Sequence, residues 1–339
     1  MNIYDLTLEE LQEYFISLGS KKFHAEQLFS WLYQKRIKKY DEVTNISREL
    51  LEKVSSNYSI DRLSIVEVQK DLDVNKYLFE LADGEHIEAV LMRHDYGNSV
   101  CISSQVGCNM GCCFCESGRR KKVRDLEVHE MVLQIMMIEE ELGERISHVV
   151  VMGIGEPFDN YDNLVKFLKI INYPKGMAIG SRHITVSTCG IIPKIYEFSK
   201  LNLQFNLAIS LHAPNDEIRN KIMPINKAYP LGKLIPSLEE YFKNTGRRIT
   251  FEYILLEGIN DSAQCANELS QLVRNLNCYI NLIPYNETNN LAFKRSNTVQ
   301  IMKFYDILKK NGINVTIRKE FGSKISAACG QLRSKKEDV

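Results

Sequence analysis

Ser99-Val100-Cys101-Ile102-Ser103, running on through Ser104-Gln105-Val106-Gly107 to Cys108, is the stretch from which the architecture can be read. Its first half is β-prone, and its second half leaves the strand through small, polar and glycine residues. The same pattern then recurs along the chain. Strand-like runs follow at 148–152, 183–187, 205–211, 250–256, 279–283 and 314–318. Between them lie amphipathic stretches of helical spacing, among them 128–142, 164–171, 265–276 and 299–310. Strands alternating with helices predict a parallel sheet with right-handed crossovers. Six or seven such units make an α/β fold, a full or partial barrel, whose chemistry belongs at the carboxyl ends of the strands.

Ahead of this region the pattern differs. Thr7-Leu8-Glu9-Glu10 reads as a capping box, in which the Thr7 hydroxyl accepts from a free helix amide while Glu10 reaches back. Leu8, Leu11, Phe15 and Leu18 follow as one apolar stripe, and Gly19 suits a helix stop. A second stripe, Phe23, Leu28, Trp31 and Leu32, runs into the basic stretch Lys35-Arg36-Ile37-Lys38-Lys39. That stretch reads equally as a solvated helix end or an RNA contact. Runs at 63–68, 76–81 and 86–92 are strand-like, with Asp83-Gly84 as a hairpin turn between the last two. The expected organisation is a helical accessory domain at 1–60, a β-hairpin extension at 61–97 and the barrel core at 98–339.

The 339 residues are 44% hydrophobic and 25% charged, a globular composition that excludes a disordered chain. Lys plus Arg and Asp plus Glu are 43 each, so a uniformly basic nucleic-acid coat is excluded, although a local basic patch is not. No apolar run is long enough for a membrane helix, and the acidic N-terminus does not read as a secretory signal. The expectation is a cytoplasmic protein with no membrane partner. In that reducing compartment nine cysteines point to metal or redox chemistry more than to a disulfide framework.

Four of those cysteines sit in Cys108-Asn109-Met110-Gly111-Cys112-Cys113-Phe114-Cys115. Cys108, Cys112 and Cys115 are spaced C-x₃-C-x₂-C on a short loop after the first barrel strand. Three thiolates can hold three irons of a 4Fe–4S cluster and leave the fourth iron open to another molecule, whereas a complete set has four cysteines. A structural zinc site needs four closed ligands, and no further Cys or His stands at the right distance. Cys113 is the rival ligand.

This loop resembles the cluster motif of radical S-adenosylmethionine (SAM) enzymes. Its surroundings resemble the RlmN/Cfr family of RNA adenine methyltransferases, and the RlmN branch most. The stretches that carry the likeness are Ser103-Ser104-Gln105-Val106-Gly107-Cys108, Met152-Gly153-Ile154-Gly155-Glu156-Pro157, Ile184-Thr185-Val186-Ser187-Thr188, Ala208-Ile209-Ser210-Leu211-His212-Ala213-Pro214-Asn215, Met223-Pro224-Ile225-Asn226 and Ala327-Ala328-Cys329-Gly330-Gln331-Leu332. The resemblance implies a partial (βα)6-type radical SAM barrel, one 4Fe–4S cluster on Cys108, Cys112 and Cys115, and two SAM molecules per turnover. It implies SAM contacts at Gly155, Glu156, Ser187, Ser210, Leu211, His212 and Asn286. Read without the family, His212 is a satisfied structural histidine, Cys329 a buried inert thiol and Glu88 a solvent-facing strand residue.

By the same resemblance Cys329 is methylated by one SAM. A second SAM, cleaved reductively, yields a radical that takes a hydrogen from that methyl, and the carbon then adds to adenine. Glu88 is implied as general base, and Cys101 as the thiol that releases the product through a transient disulfide with Cys329. The implied target is carbon 2 of an adenosine in the peptidyl-transferase centre of 23S rRNA, with the tRNA adenosine beside the anticodon as a second substrate. Methylation of carbon 8, as in the Cfr branch, and a radical enzyme with a non-RNA substrate are the alternatives. A flavodoxin or ferredoxin system is implied as electron donor, and a monomer is expected. The chain departs from the family at Arg119-Arg120-Lys121-Lys122-Val123-Arg124, a candidate phosphate grip or merely a solvated charge run, and at Lys324. Cys189, Cys265 and Cys278 match nothing functional, and burial is their expected role.

Overall fold

A computed structural model describes residues 1–201, 203–288, 291–318, 327 and 330–332. Cys329 and Lys324 lie outside the described residues. The strands are β1 Ser64–Asp71, β2 Val74–Glu80, β3 His86–His94, β4 Gly97–Ile102, β5 Gln105–Val106, β6 Arg124–Asp125, β7 Ile146–Val151, β8 Ile184–Thr188, β9 Asn206–Ser210, β10 Ile249–Leu255, β11 Cys278–Pro284 and β12 Val315–Ile317. Ten of them form one sheet in the order β1-β2-β3-β4-β7-β8-β9-β10-β11-β12. From β4 onward every neighbouring pair is parallel. Since β1 and β12 are the two edges of the sheet, the barrel is open, as the partial-barrel expectation requires. Each predicted run lies on one of these strands.

The segment read as a hairpin is more than that. β1, β2 and β3 form an antiparallel meander, and β3 also pairs antiparallel with β4, with Val90 opposite Cys101. The backbone edge that a lone hairpin would leave open is therefore satisfied by the first barrel strand. β5 and β6 form a separate ladder of two residues each that closes the base of the cysteine loop.

Helices α1 Leu8–Ser17, α2 Lys22–Ser30 and α3 Arg48–Ser55 form the N-terminal region. Both bonds of the capping box are present: Glu10 N–H donates to Thr7 Oγ1 at 3.3 Å, and Thr7 N–H to Glu10 Oε2 at 2.9 Å. Phe23, expected on the second apolar stripe, is 48% exposed, while Leu28 and Leu32 are buried. Within α2 the spacing of five residues sets Phe23 about 140° away from Leu28, off the buried face of Ala25, Leu28 and Phe29. The helix then ends in one π-helical turn, Trp31–Lys35, followed by a left-handed Arg36. These helices lean on α4, Val128–Leu142, through ion pairs of Arg36 with Glu139 and Arg62 with Glu140.

The remaining helices are α5 Tyr161–Asn172, α6 Ile192–Ser199, α7 Asp216–Ile222, α8 Leu231–Thr245, α9 Ala263–Val273 and α10 Thr298–Lys310. Apolar spacing did not single out α6, α7 or α8. The first two are short, and prolines start α6 and interrupt α8.

Candidate active site

The loops after β4 and β7 are stitched together by the motif residues themselves. Ser104 N–H and Gln105 N–H both donate to the Ile154 carbonyl, at 2.9 and 3.2 Å. Ile154 N–H donates to Ser103 Oγ at 3.0 Å, and Glu156 N–H to Gln105 Oε1 at 2.8 Å. This approach leaves no room for side chains at two positions. A Cβ on Gly153 would lie 2.6 Å from the Ile102 carbonyl oxygen. Gly155 has φ +110°, and its Cβ would lie 2.6 Å from that of Gln105.

Above these strand ends is a cavity with about 910 Å³ of empty space, part of it open to solvent. Cys108, Cys112 and Cys115 line it together with Gly155, Glu156, Ser187, Ser210 and His212. Leu211 is buried beside it, and Asn286 is buried two residues beyond β11; neither is part of the lining. Cys113 is exposed, with its thiol 3.5 Å from the Lys221 carbonyl oxygen on the far side of the loop. Burial, reinforced by the neighbouring thiols, pushes the Cys108 thiol up to about 12 and Cys112 well above the ordinary range. Thiolates so placed need a cation to be stable, and iron would supply that charge. Among the described residues no three metal-binding side chains converge on one point as a single-ion site demands. A cluster asks for less convergence, because each thiolate binds its own iron. The donor set therefore fits a cluster better than zinc.

Glu156 is buried and already engaged. Oε1 accepts from Phe158 N–H at 3.0 Å and Oε2 from Cys189 N–H at 2.7 Å. Burial raises its pKa, opposed by those hydrogen bonds. It thus fastens the end of β8 to the β7 loop while its oxygens edge the cavity. Cys189 is buried as expected, but it also lines the cavity, with its thiol 3.4 Å from Met110 Sδ.

His212 is a satisfied structural histidine that also lines the cavity. It is a non-glycine residue at φ 57°, its Nδ1 accepts from Ile254 N–H at 3.0 Å, and its ring meets Phe114 edge-on at 4.8 Å. Accepting at Nδ1 leaves the proton of the neutral ring on Nε2. Burial, with the charge of Arg219 adding, lowers its pKa to about 3. Sequence reasoning did not single out Arg219, which is fully buried. Its guanidinium donates to the carbonyls of Cys189, Ser210 and Leu211 and to Asn226 Oδ1, tying the ends of β8 and β9 to the Met-Pro-Ile-Asn stretch.

Glu88 is 2% exposed, not solvent-facing, because both faces of β3 are packed along this stretch, from His86 to Met92. Its Oε1 lies 3.4 Å from Nζ of the equally buried Lys76 on β2. Sequence reasoning missed Lys76, as it missed Glu252 in the lining of the cavity. Cys101, opposite Val90, packs with Val90, Met92 and Ile154 against Ala327 and Leu332. Gly330 accepts from Glu116 N–H at 2.9 Å and lines the cavity, and Leu332 accepts from Ser117 Oγ at 2.8 Å. The described residues flanking position 329 thus meet both the cysteine loop and the Cys101 strand.

Cations of the basic run are engaged within the chain, while Lys121 is exposed. Arg120 pairs with Glu85, Lys122 with Asp125 and Asp159, and Arg124 with Asp83 and Glu130. Among the described residues no helix is long and apolar enough to cross a membrane.

Comparison with known proteins adds to this geometry. Residues 1–60 match the family described as ribosomal RNA large subunit methyltransferase N-terminal domain, and residues 102–265 match the radical SAM superfamily. A protein of Spiroplasma citri named "Probable dual-specificity RNA methyltransferase RlmN" is 54% identical over 342 residues, covering 100% of this chain and 99% of its own. A protein of the same name from Enterococcus faecalis is 54% identical over 343 residues, covering 98% of this chain and 96% of its own. The crystal structure of a radical SAM methyltransferase from Sphaerobacter thermophilus superposes with a TM-score of 0.93 at 40% identity, covering 99% of this chain and 100% of that one.

Proposed function

The chain belongs to the RlmN family within the radical SAM superfamily, and on that premise we propose that it methylates carbon 2 of adenosine in RNA through a methylated cysteine. The targets are an adenosine of 23S rRNA and the adenosine beside the anticodon of tRNA. A member of this superfamily works with one 4Fe–4S cluster and SAM, which when bound supply an electron and a 5′-deoxyadenosyl radical.

The residues take these parts. Cys108, Cys112 and Cys115 hold the cluster. The backbone at Gly155 and Glu156, with Ser187, Ser210, Leu211, His212 and Asn286, holds SAM against it. Cys329 takes a methyl group onto its sulfur and delivers that carbon to adenine. Glu88, kept beside the Lys76 ammonium, removes the proton from the carbon being substituted. Once the adduct has given up its unpaired electron to an external one-electron acceptor, the Cys101 thiolate attacks the Cys329 sulfur and forms a disulfide. The carbon–sulfur bond breaks with its electron pair on the transferred carbon, which takes up a proton to become the methyl group, and the RNA is freed. Two electrons from an external thiol or reductase restore the pair.

The observation that carries the reading is that Ala327 and Leu332 share one apolar cluster with Val90, two residues along β3 from Glu88, and that Cys101 packs against that cluster. An arrangement that served only a cluster and SAM would have no use for a second thiol and a buried carboxylate at that end. Digestion and mass spectrometry of rRNA and tRNA from cells with and without the gene test the function. 2-Methyladenosine present only with the gene is expected, in rRNA and tRNA. 8-Methyladenosine in its place would overturn the carbon assignment, and no change in either RNA would overturn the substrate.

A further inference from the structure

A second cavity, with about 1340 Å³ of empty space, lies under the first, toward the amino ends of the parallel strands. Side chains on one face of a strand repeat every second residue, about 6.6 Å apart. Ser187, Glu252 and Ile283 line the upper cavity, while Thr185, Thr250 and Asn281, each two residues earlier, line the lower one. Met152, Glu252 and Arg318 belong to both linings, so the floor of one is the roof of the other.

This level of a closed barrel is normally filled by branched apolar side chains. Here it is lined by hydroxyl and amide groups. Glu252, 4% exposed, accepts from Asn281 Nδ2 at 2.9 Å through Oε1. Among the described residues its Oε2 accepts no hydrogen bond, and the nearest cation, Arg318 Nη1, is 3.9 Å away. A buried carboxylate oxygen without a donor is costly and marks a place for one. At the lower outlet His94 stacks on Tyr96 at 4.5 Å and 8°, Tyr96 is 65% exposed, and the His148 ring lies at 72° to that of Tyr96 with centres 5.0 Å apart.

We propose that the lower cavity is a purine nucleoside site, through which the 5′-deoxyadenosine formed at each turnover leaves. The charges of the lining are mixed, Asp73, Asp95 and Glu252 against Arg93 and Arg318, which suits a neutral polar ligand better than a phosphate. A ribose diol donates to a carboxylate such as Glu252, and a purine stacks on Tyr96 as bases do on exposed aromatic rings. Passage from the upper to the lower cavity requires the side chains of Met152, Glu252 and Arg318, which separate the two, to move aside. The proposal rests on the SAM-cleaving reading of the upper cavity.

The test is equilibrium dialysis of labelled 5′-deoxyadenosine against the anaerobic, cluster-loaded protein, with the upper cavity saturated by S-adenosylhomocysteine. One nucleoside per chain should still bind. Tyr96→Ala, at an exposed position, and Thr185→Val with Thr250→Val should each weaken that binding at least about tenfold while leaving S-adenosylhomocysteine affinity within about twofold. Nucleoside binding abolished by S-adenosylhomocysteine, or unaffected by these substitutions, would overturn the lower site. Failure of S-adenosylhomocysteine itself to bind would overturn the cosubstrate reading, and the lower site with it.

Discussion

Individual side chains near the strand ends are held in definite protonation and bonding states. His212 spends Nδ1 on the Ile254 amide and is kept neutral by burial. Its folded pKa of about 3 lies below the ordinary 6.5, so the unfolded chain takes up the proton first as acid is added. The stability this neutral ring confers is complete above pH 6.5 and declines as the pH falls toward 3. Between pH 6.5 and 5 the loss should be about 2 kcal/mol. Urea unfolding at the two pH values should show this difference in the native protein and not in His212→Gln. A second outcome at this scale concerns the thiols. Cys112 faces the cavity and Cys113 does not. Iron and acid-labile sulfide should be lost from anaerobically reconstituted Cys112→Ala and retained in Cys113→Ala; the reverse would exchange their roles.

Among the secondary-structure elements, Arg219 on α7 links pieces that are distant along the chain. It is surrounded by carbonyls from the ends of β8 and β9, without a carboxylate within ion-pair distance among the described residues. Arg219→Leu would strand several buried acceptors at about 1–3 kcal/mol each, not strictly additive. Loss of at least about 3 kcal/mol in chemical denaturation is expected, with weaker SAM binding in whatever folds. Nothing in the sequence announced this, because an arginine on a short polar helix reads as solvent-facing. The elements themselves were more legible. Strand runs and the Gly-Ile-Gly-Glu-Pro turn carry local signals of period and punctuation, so β4, β7 to β12 and the cavity's rim could be read directly. Lys76 and Glu252 could not, since what makes them notable is a partner, or the want of one, set by strand register. Glu88 was read as solvent-facing for the same reason: that both faces of β3 are packed is a fact of the fold and not of the strand's own alternation.

For the whole molecule, the meander β1 to β3, the open barrel and the residues flanking position 329 converge at one end. If Cys101 is the releasing thiol, Cys101→Ala should accumulate a protein–RNA adduct that survives denaturation and shrinks to a nucleotide remnant on ribonuclease digestion. Disulfide formation requires Cα atoms within about 7 Å, and Cys101 packs against the apolar cluster to which Ala327 and Leu332 belong. Recovery of free methylated RNA in normal yield from that variant would sink the assignment. The cysteine spacing made the cluster legible from sequence, whereas the contact between the first barrel strand and the C-terminal segment belongs to the folded whole.

The pairing of Arg120, Lys122 and Arg124 with carboxylates of the same chain bears on how RNA affinity responds to ionic strength. Phosphate binding by a free cation displaces condensed counterions, which makes affinity fall steeply with salt. A cation already neutralised has no net charge to offer: a phosphate reaching Arg124 must first expel Asp83 or Glu130, and that exchange liberates little. The slope of log affinity against log salt should therefore report on other cations, and exchanging Arg124 together with its partners Asp83 and Glu130 for neutral residues should leave it nearly unchanged.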